Sequence, residues 1–397
     1  MWYNRYEKLF RTVQIKAECV IDERGIPMTP KQRLLNAIRG EETDRTPWSP
    51  FLAYYWEHLP PEESACGQLR YLQKMGADPL LRGFNQAYRI EQKNVTVSER
   101  REGNQVFRVF ETKVGNLTEV QTYSEAGRTW FLTGHPVETE EDFKVLQYMH
   151  ENMTVTEEIA ACDRMERELG ESALCLSLLG VHSKTSFQSL VEHWCGTENL
   201  IYALYDFPEV VEECLAVMQA KDMETVRASV ESTAEAFIFW EDSSTTNISP
   251  DLFNRYTAPE LNEWGRLLHA NGKLLIHHAC GHLKDLIPRM CETEIDMIES
   301  ISPPPTGNID MQDAAALMPD KIGLIGGIEP AFFLKCSMEE LEARVRYLLE
   351  IMKGKRFVLA NSDSCPRAFR MRNFCWSVIW FADKPEAGKP MYTGRYR

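Results

Sequence analysis

Residues 273–281 read KLLIHHACG. The run Leu274-Leu275-Ile276 is continuously apolar, as expected of a parallel strand covered on both faces. It stops abruptly in two histidines, a cysteine and a glycine, so a buried strand here delivers reactive side chains at its carboxyl end. Downstream, 295–302 (IDMIESIS), 321–330 (KIGLIGGIEP) and 356–364 (RFVLANSDS) have the same character. Upstream lie 234–242 (AEAFIFWED), 173–181 (ALCLSLLGV), 77–84 (ADPLLRGF) and 46–51 (TPWSPF). Helical patterns separate most of them. Val210, Val211, Cys214, Leu215 and Met218 fall at helical spacing, and Ser337-Met338-Glu339-Glu340 opens another helix as a capping box. Eight strand–helix alternations predict an α/β fold of the (β/α)8 TIM-barrel type, with an open doubly wound sheet as the alternative. No Gly-x-Gly-x-x-Gly turn follows the first strand, which favours the barrel.

The periodic pattern begins at Met28. Thr29-Pro30-Lys31-Gln32 reads as a helix start and Gly40 as its stop. Residues 1–27 are read as an N-terminal extension, and 28–397 as one barrel domain. Residues 90–135 alternate polar and apolar side chains around Gly and Asn turns, which predicts an antiparallel β insertion after the second strand.

Composition excludes several classes. The 397-residue chain has a net charge of −15, the wrong sign for a phosphate-binding surface. No run of 18 apolar residues spans a membrane, and the first 20 residues have no apolar signal core. The 11 cysteines are odd in number and irregularly spaced, which reads as reduced thiols in a cytoplasmic protein. The four Asn-x-Ser/Thr sequons, at Asn94, Asn116, Asn152 and Asn247, are then chance occurrences.

Barrel chemistry sits at the carboxyl ends of the strands. His278 and Cys280 are two apart and share one face of an extended strand. With a carboxylate from Glu241 or Asp242 and the thiol of Cys365, they would suit zinc, which accepts N, S and O donors. The same pair also reads as core packing with a hydrogen-bonded histidine. Glu241 and Asp363 are the candidate catalytic carboxylates, with capping and loop bonding as their plain alternatives. Tyr54, His182 and Glu329 are candidate substrate contacts. Gly326-Gly327 admits close backbone approach, to a ligand or to a neighbouring strand.

Taken in order, the motifs TPKQRLLNAIRGEETDRTPW, ISPDLFNRYTAPELNEW, HHACGHLKDLIPRM, IESISPPPTGNIDM, IGLIGGIEP and FVLANSDSCP resemble the uroporphyrinogen decarboxylase-like superfamily over residues 28–385. The Arg-Gln-Ala-Gly-Arg signature of its tetrapyrrole decarboxylases is missing from PWSPFLAYYWEHLP. The chain is more similar to the corrinoid-dependent methyltransferase branch. That resemblance implies zinc on His278, Cys280 and Cys365. The branch places its distant cysteine where this chain has Asp363, which leaves Glu241 or Asp363 as alternative ligands. It further implies methyl transfer between a small methyl ether or thiol and a corrinoid protein. No Asp-x-His-x-x-Gly motif occurs, so the cobalamin would ride on a partner. The alternative is a cofactor-free decarboxylase with Arg82, Arg367 or Arg370 facing the axis, and a third reading is a non-enzymatic binding module.

Overall fold

The computed structural model describes residues 28–126 and 128–365. The extension 1–27, together with Arg367 and Arg370, lies outside the described residues. The chain begins with α1 (Pro30–Arg39), whose first turn is closed by a reciprocal capping box. The Gln32 N–H donates to Thr29 Oγ1 at 3.2 Å, and the Thr29 N–H donates back to Gln32 Oε1 at 3.3 Å. Gly40 ends the helix at φ 75°, a left-handed conformation that glycine adopts without steric cost.

The strands follow in chain order: β1 (Leu80–Arg82), β2 (Tyr88–Gln92), β3 (Thr96–Glu102), β4 (Gln105–Thr112), β5 (Gly115–Ser124), β6 (Thr129–Gly134), β7 (Met153–Glu157), β8 (Leu174–Leu178), β9 (Ala236–Glu241), β10 (Leu274–Ala279), β11 (Met297–Glu299), β12 (Gly323–Ile328) and β13 (Phe357–Asn361). Seven of them form one parallel sheet in the order β1-β8-β9-β10-β11-β12-β13. The strand expected over 46–51 is reduced to a single parallel bridge between Trp48 and Leu359. That segment still joins the two outer strands. Ser49 N–H donates to Leu359 O at 3.0 Å, and Asp78 N–H donates to Trp48 O at 2.9 Å just before β1. Two prolines, Pro47 and Pro50, remove backbone donors there and keep the pairing short.

Strand alternation sorts the core into two layers. Leu80, Leu174, Leu176, Ile238, Ile276, Met297, Ile325 and Val358 pack together inside the curl, with Leu34, Leu35 and Ile38 of α1 closing the amino ends of the strands. Phe237, Phe239, Leu275, Ile298 and Leu359 face the other way and pack under the surrounding helices. These include α2 (Glu140–Glu151), α3 (Pro208–Val230), α4 (Ala258–Ala270) and α5 (Met338–Ile351). The near-continuous apolar strands follow directly from this two-sided burial.

The alternating stretch 90–135 contains the four-stranded antiparallel sheet β3-β4-β5-β6. It leans on the rest of the chain through Phe110, whose ring lies 5.9 Å from Trp194. Strands β2 and β7 pair antiparallel on either side of it in sequence. At Gly326 and Gly327 the neighbour is protein. Both have positive φ, and a side chain at Gly326 would meet the backbone of Ser362 at 3.3 Å. No described helix is long and apolar enough to cross a membrane.

Candidate active site

The inner face carries its chemistry at the carboxyl ends of β1, β10 and β11. Arg82, two residues past the inner-facing Leu80, donates from Nε to Glu299 Oε1 at 2.5 Å. Glu299, two past Met297, also meets His278 Nδ1 at 2.9 Å through Oε2. All three are buried. Burial alone would push the Glu299 carboxyl up, but the Arg82 charge and the His278 bond hold it below its ordinary value. Because Glu299 is an acceptor, it holds the proton on Nδ1 and leaves the lone pair of His278 on Nε2. Nε2 makes no hydrogen bond among the described residues.

Aromatic rings complete this face. Trp240 lies 4.9 Å from His278 between ring centroids, and Phe51 lies 5.2 Å from Trp240 and 5.9 Å from His278. The Arg82 guanidinium sits over Phe51 at 5.1 Å. Cys280 follows on the same face of the strand, half-buried. Burial raises its thiol pKa well above the ordinary value, and the charges of Asp363, Asp242 and Glu192 raise it further against Lys184.

The outer face is a separate network. Glu241 shares the parity of Phe237 and Phe239, so it points under the helices and away from the axis. Its Oε2 meets His277 Nε2 at 3.0 Å, and Ser243 Oγ donates to the same oxygen at 2.8 Å. Thr185 donates to Oε1 from both N and Oγ1, at 2.9 and 2.6 Å. Burial opposes ionisation, but the His277 and Thr185 bonds outweigh it and hold the Glu241 carboxyl at about 2. Beside Thr185, Ser186 Oγ donates to Asp222 at 2.6 Å and its N–H donates to Glu260 at 3.0 Å. These two carboxyls are buried together. Burial raises both, Asp222 to about 6 against the bonds from Ser186, Val181 and Glu260, and the Asp222 charge raises Glu260 further.

Of the residues singled out in the sequence, His278 and Cys280 lie together at the inner end of β10, with Asp363 close enough to load the Cys280 thiol. Cys365 is fully buried and its backbone is bonded to Phe51 and Tyr55. Among the described residues no three His, Cys, Asp or Glu side chains are grouped to hold a metal ion. As folded, the described residues of this set do not fit a three-donor zinc site. Glu241 lies on the helix side. His182 is part-buried against His150, His193 and Trp194, with ring centroids 5.9, 5.5 and 5.4 Å away. Glu329 caps the turn after β12, accepting from Thr306 Oγ1 at 2.6 Å and Phe332 N at 2.8 Å. Tyr54 is exposed on the short helix Ala53–Glu57. Sequence reasoning missed the Arg82–Glu299–His278 chain and its Phe51–Trp240 wall. The available signal was one arginine and one glutamate inside buried strands, since a charge there must find its opposite.

The chain matches the uroporphyrinogen decarboxylase (URO-D) family over residues 124–366, more than half its length. It belongs to that family. No curated protein matches it. Among solved structures, a methyltransferase from Methanosarcina mazei matches at TM-score 0.59 and 14% identity, covering 91% of this chain and 100% of that one. A B12-independent methionine synthase from Shewanella sp. matches at TM-score 0.40 and 10% identity, covering 86% and 96%. At 14% identity the likeness to the Methanosarcina mazei protein is one of fold.

Proposed function

We propose that this URO-D family member is a methyltransferase that moves a methyl group between a small substrate and a corrinoid carried by a partner protein. The observation that supports it most is the Arg82–Glu299–His278 chain. A decarboxylase of a polycarboxylate needs free cations to anchor its substrate. Arg82 is neutralised by Glu299, and Lys184 is held by Glu192 at 2.6 Å and by Trp240 O at 2.7 Å. The fold match to a methyltransferase over the whole length of that chain points the same way.

In this reading the methyl group passes by in-line displacement at the strand ends. Glu299 fixes the His278 ring, and Nε2 takes the proton of a protic acceptor or returns one to a leaving group. Phe51 and Trp240 exclude water from one side. Zinc on His278 and Cys280 is a separable part of the reading. With two donors on one face, such an ion is expected to be weakly held. The described cysteines are unpaired, which suits the cytoplasmic setting of this reading.

The test is spectroscopic. Purified protein is incubated with free cob(I)alamin and a panel of methyl ethers, thioethers and methylated ammonium compounds. Conversion to methylcob(III)alamin by wild type supports the proposal. No conversion with any donor, together with carbon dioxide release from a carboxylated compound, would replace it with the decarboxylase reading.

A further inference from the structure

Among the described residues, the mouth around Cys280 has more carboxylates than cations. Lys184 and Arg82 are already ion-paired, with Glu192 and Glu299. Asp242 and Asp363 make no ion pair among the described residues. The Asp363 carboxylate accepts from the Ser364 N–H at 2.6 Å, and the Asp242 carboxylate lies over Gly281 with Asn247 as its hydrogen-bond partner. Burial raises Asp242, and the charges of Glu192 and Asp363 add to it, as negative potential would. A second, independent observation points to a ligand. His278 is only 5% exposed, and its Nε2, on the same inner face, has no hydrogen-bond partner among the described residues. The third is the wall: Phe51 and Trp240 are both part-exposed rings beside His278. Carboxylates and aromatic faces together attract an alkylated cation, whose charge is spread over apolar methyl groups.

We propose that the methyl donor is a methylated ammonium compound, held between the Phe51–Trp240 wall and the Asp242 and Asp363 carboxylates. This rests on the methyl-transfer reading and names its substrate class. The step balances. The N–CH3 bond breaks with its electron pair left on nitrogen, which departs as a neutral amine. The methyl carbon bonds to cob(I)alamin of the partner, whose cobalt supplies the pair and becomes methylcob(III)alamin. A quaternary nitrogen carries its own positive charge, so it leaves without a proton and without a Lewis acid.

Binding tests this separately from turnover. Calorimetric titration of the full chain would compare tetramethylammonium with the neutral, similarly branched neopentyl alcohol and with citrate. Wild type is expected to bind tetramethylammonium at least tenfold more tightly than the alcohol and to show no heat with citrate. Asp363→Asn and Asp242→Asn should each weaken the ammonium at least tenfold with unchanged circular dichroism. Equal affinity for the alcohol, preference for citrate, absence of ammonium binding, or insensitivity to both variants would overturn the proposal. In those cases, cobalamin methylation by a methyl ether would show that methyl transfer itself still stands.

Discussion

His277 and His278 are neighbours in the chain and sit on opposite sides of the sheet. His277 has no exposure, stacks on Phe239 with centroids 4.4 Å apart, and is bonded to Glu241 and Ser243. His278 is anchored through one nitrogen to Glu299 and presents the other at the strand ends. One residue of register therefore separates a structural hydrogen-bonded pair from a candidate reactive group. The outer network holds the loop after β8 and the inner one lies at the strand ends, where the proposed substrate would sit, so damage to each should read out differently.

The largest effect on stability is expected on the inner side. Arg82→Leu leaves Glu299 buried without its cation, and breaking a buried pair from one side costs about 3–5 kcal/mol. Denaturant midpoints of wild type and variant would check this. A loss under about 1 kcal/mol would mean that Glu299 finds another partner and that the chain is not the anchor of His278.

On the outer side, Glu241→Gln replaces a carboxylate with several donors by an amide, for about 1–3 kcal/mol. Cobalamin methylation by the folded variant should persist. The pH dependence has a definite sign. The Glu241 carboxyl is depressed from an ordinary 4.5 to about 2. Its contribution is present above about 4.5 and is lost as pH falls towards 2. Stability curves of wild type and variant should converge in that window, and a constant gap would contradict the pairing.

Asp222→Asn tests the layer behind it with the opposite sign. The Asp222 carboxyl is raised from 3.8 to about 6, so its neutral form is favoured by folding, and that stability is lost as pH rises through about 6. The variant stays neutral. It should melt higher than wild type at pH 8 and nearly equal to it at pH 4, by thermal scans in matched buffers. A lower melting temperature at pH 8 would mean that burial does not penalise the Asp222 carboxylate.

The smallest effect is on metal. Zinc bound by His278 and Cys280 alone should fall well below one per chain after dialysis against a chelator, by elemental analysis. Full retention that Cys280→Ala abolishes would show a third donor moving in.

Much of the fold was legible because buried parallel strands announce themselves as apolar runs, as LLIHHA and GLIGGI do at β10 and β12. The capping boxes at Thr29 and Ser337 were equally local and formed as read. The strand over 46–51 was overstated, since its prolines allow only the Trp48 bridge. The site was harder to read. Adjacent pairs such as Glu241-Asp242 and His277-His278 differ only in parity, and parity depends on where each strand begins. The Arg82–Glu299 pair joins positions 217 residues apart, a separation that no local pattern reports.

The most direct measurement is cobalamin methylation by His277→Gln and His278→Ala, assayed side by side on protein shown to be folded. With a methyl ether as donor, whose leaving oxygen needs a proton, the account predicts that His278→Ala loses at least 100-fold in rate, within the range for a positioned acid–base group, while His277→Gln loses stability and keeps turnover. Loss of turnover in His277→Gln with His278→Ala still active would place the chemistry on the other side of the sheet.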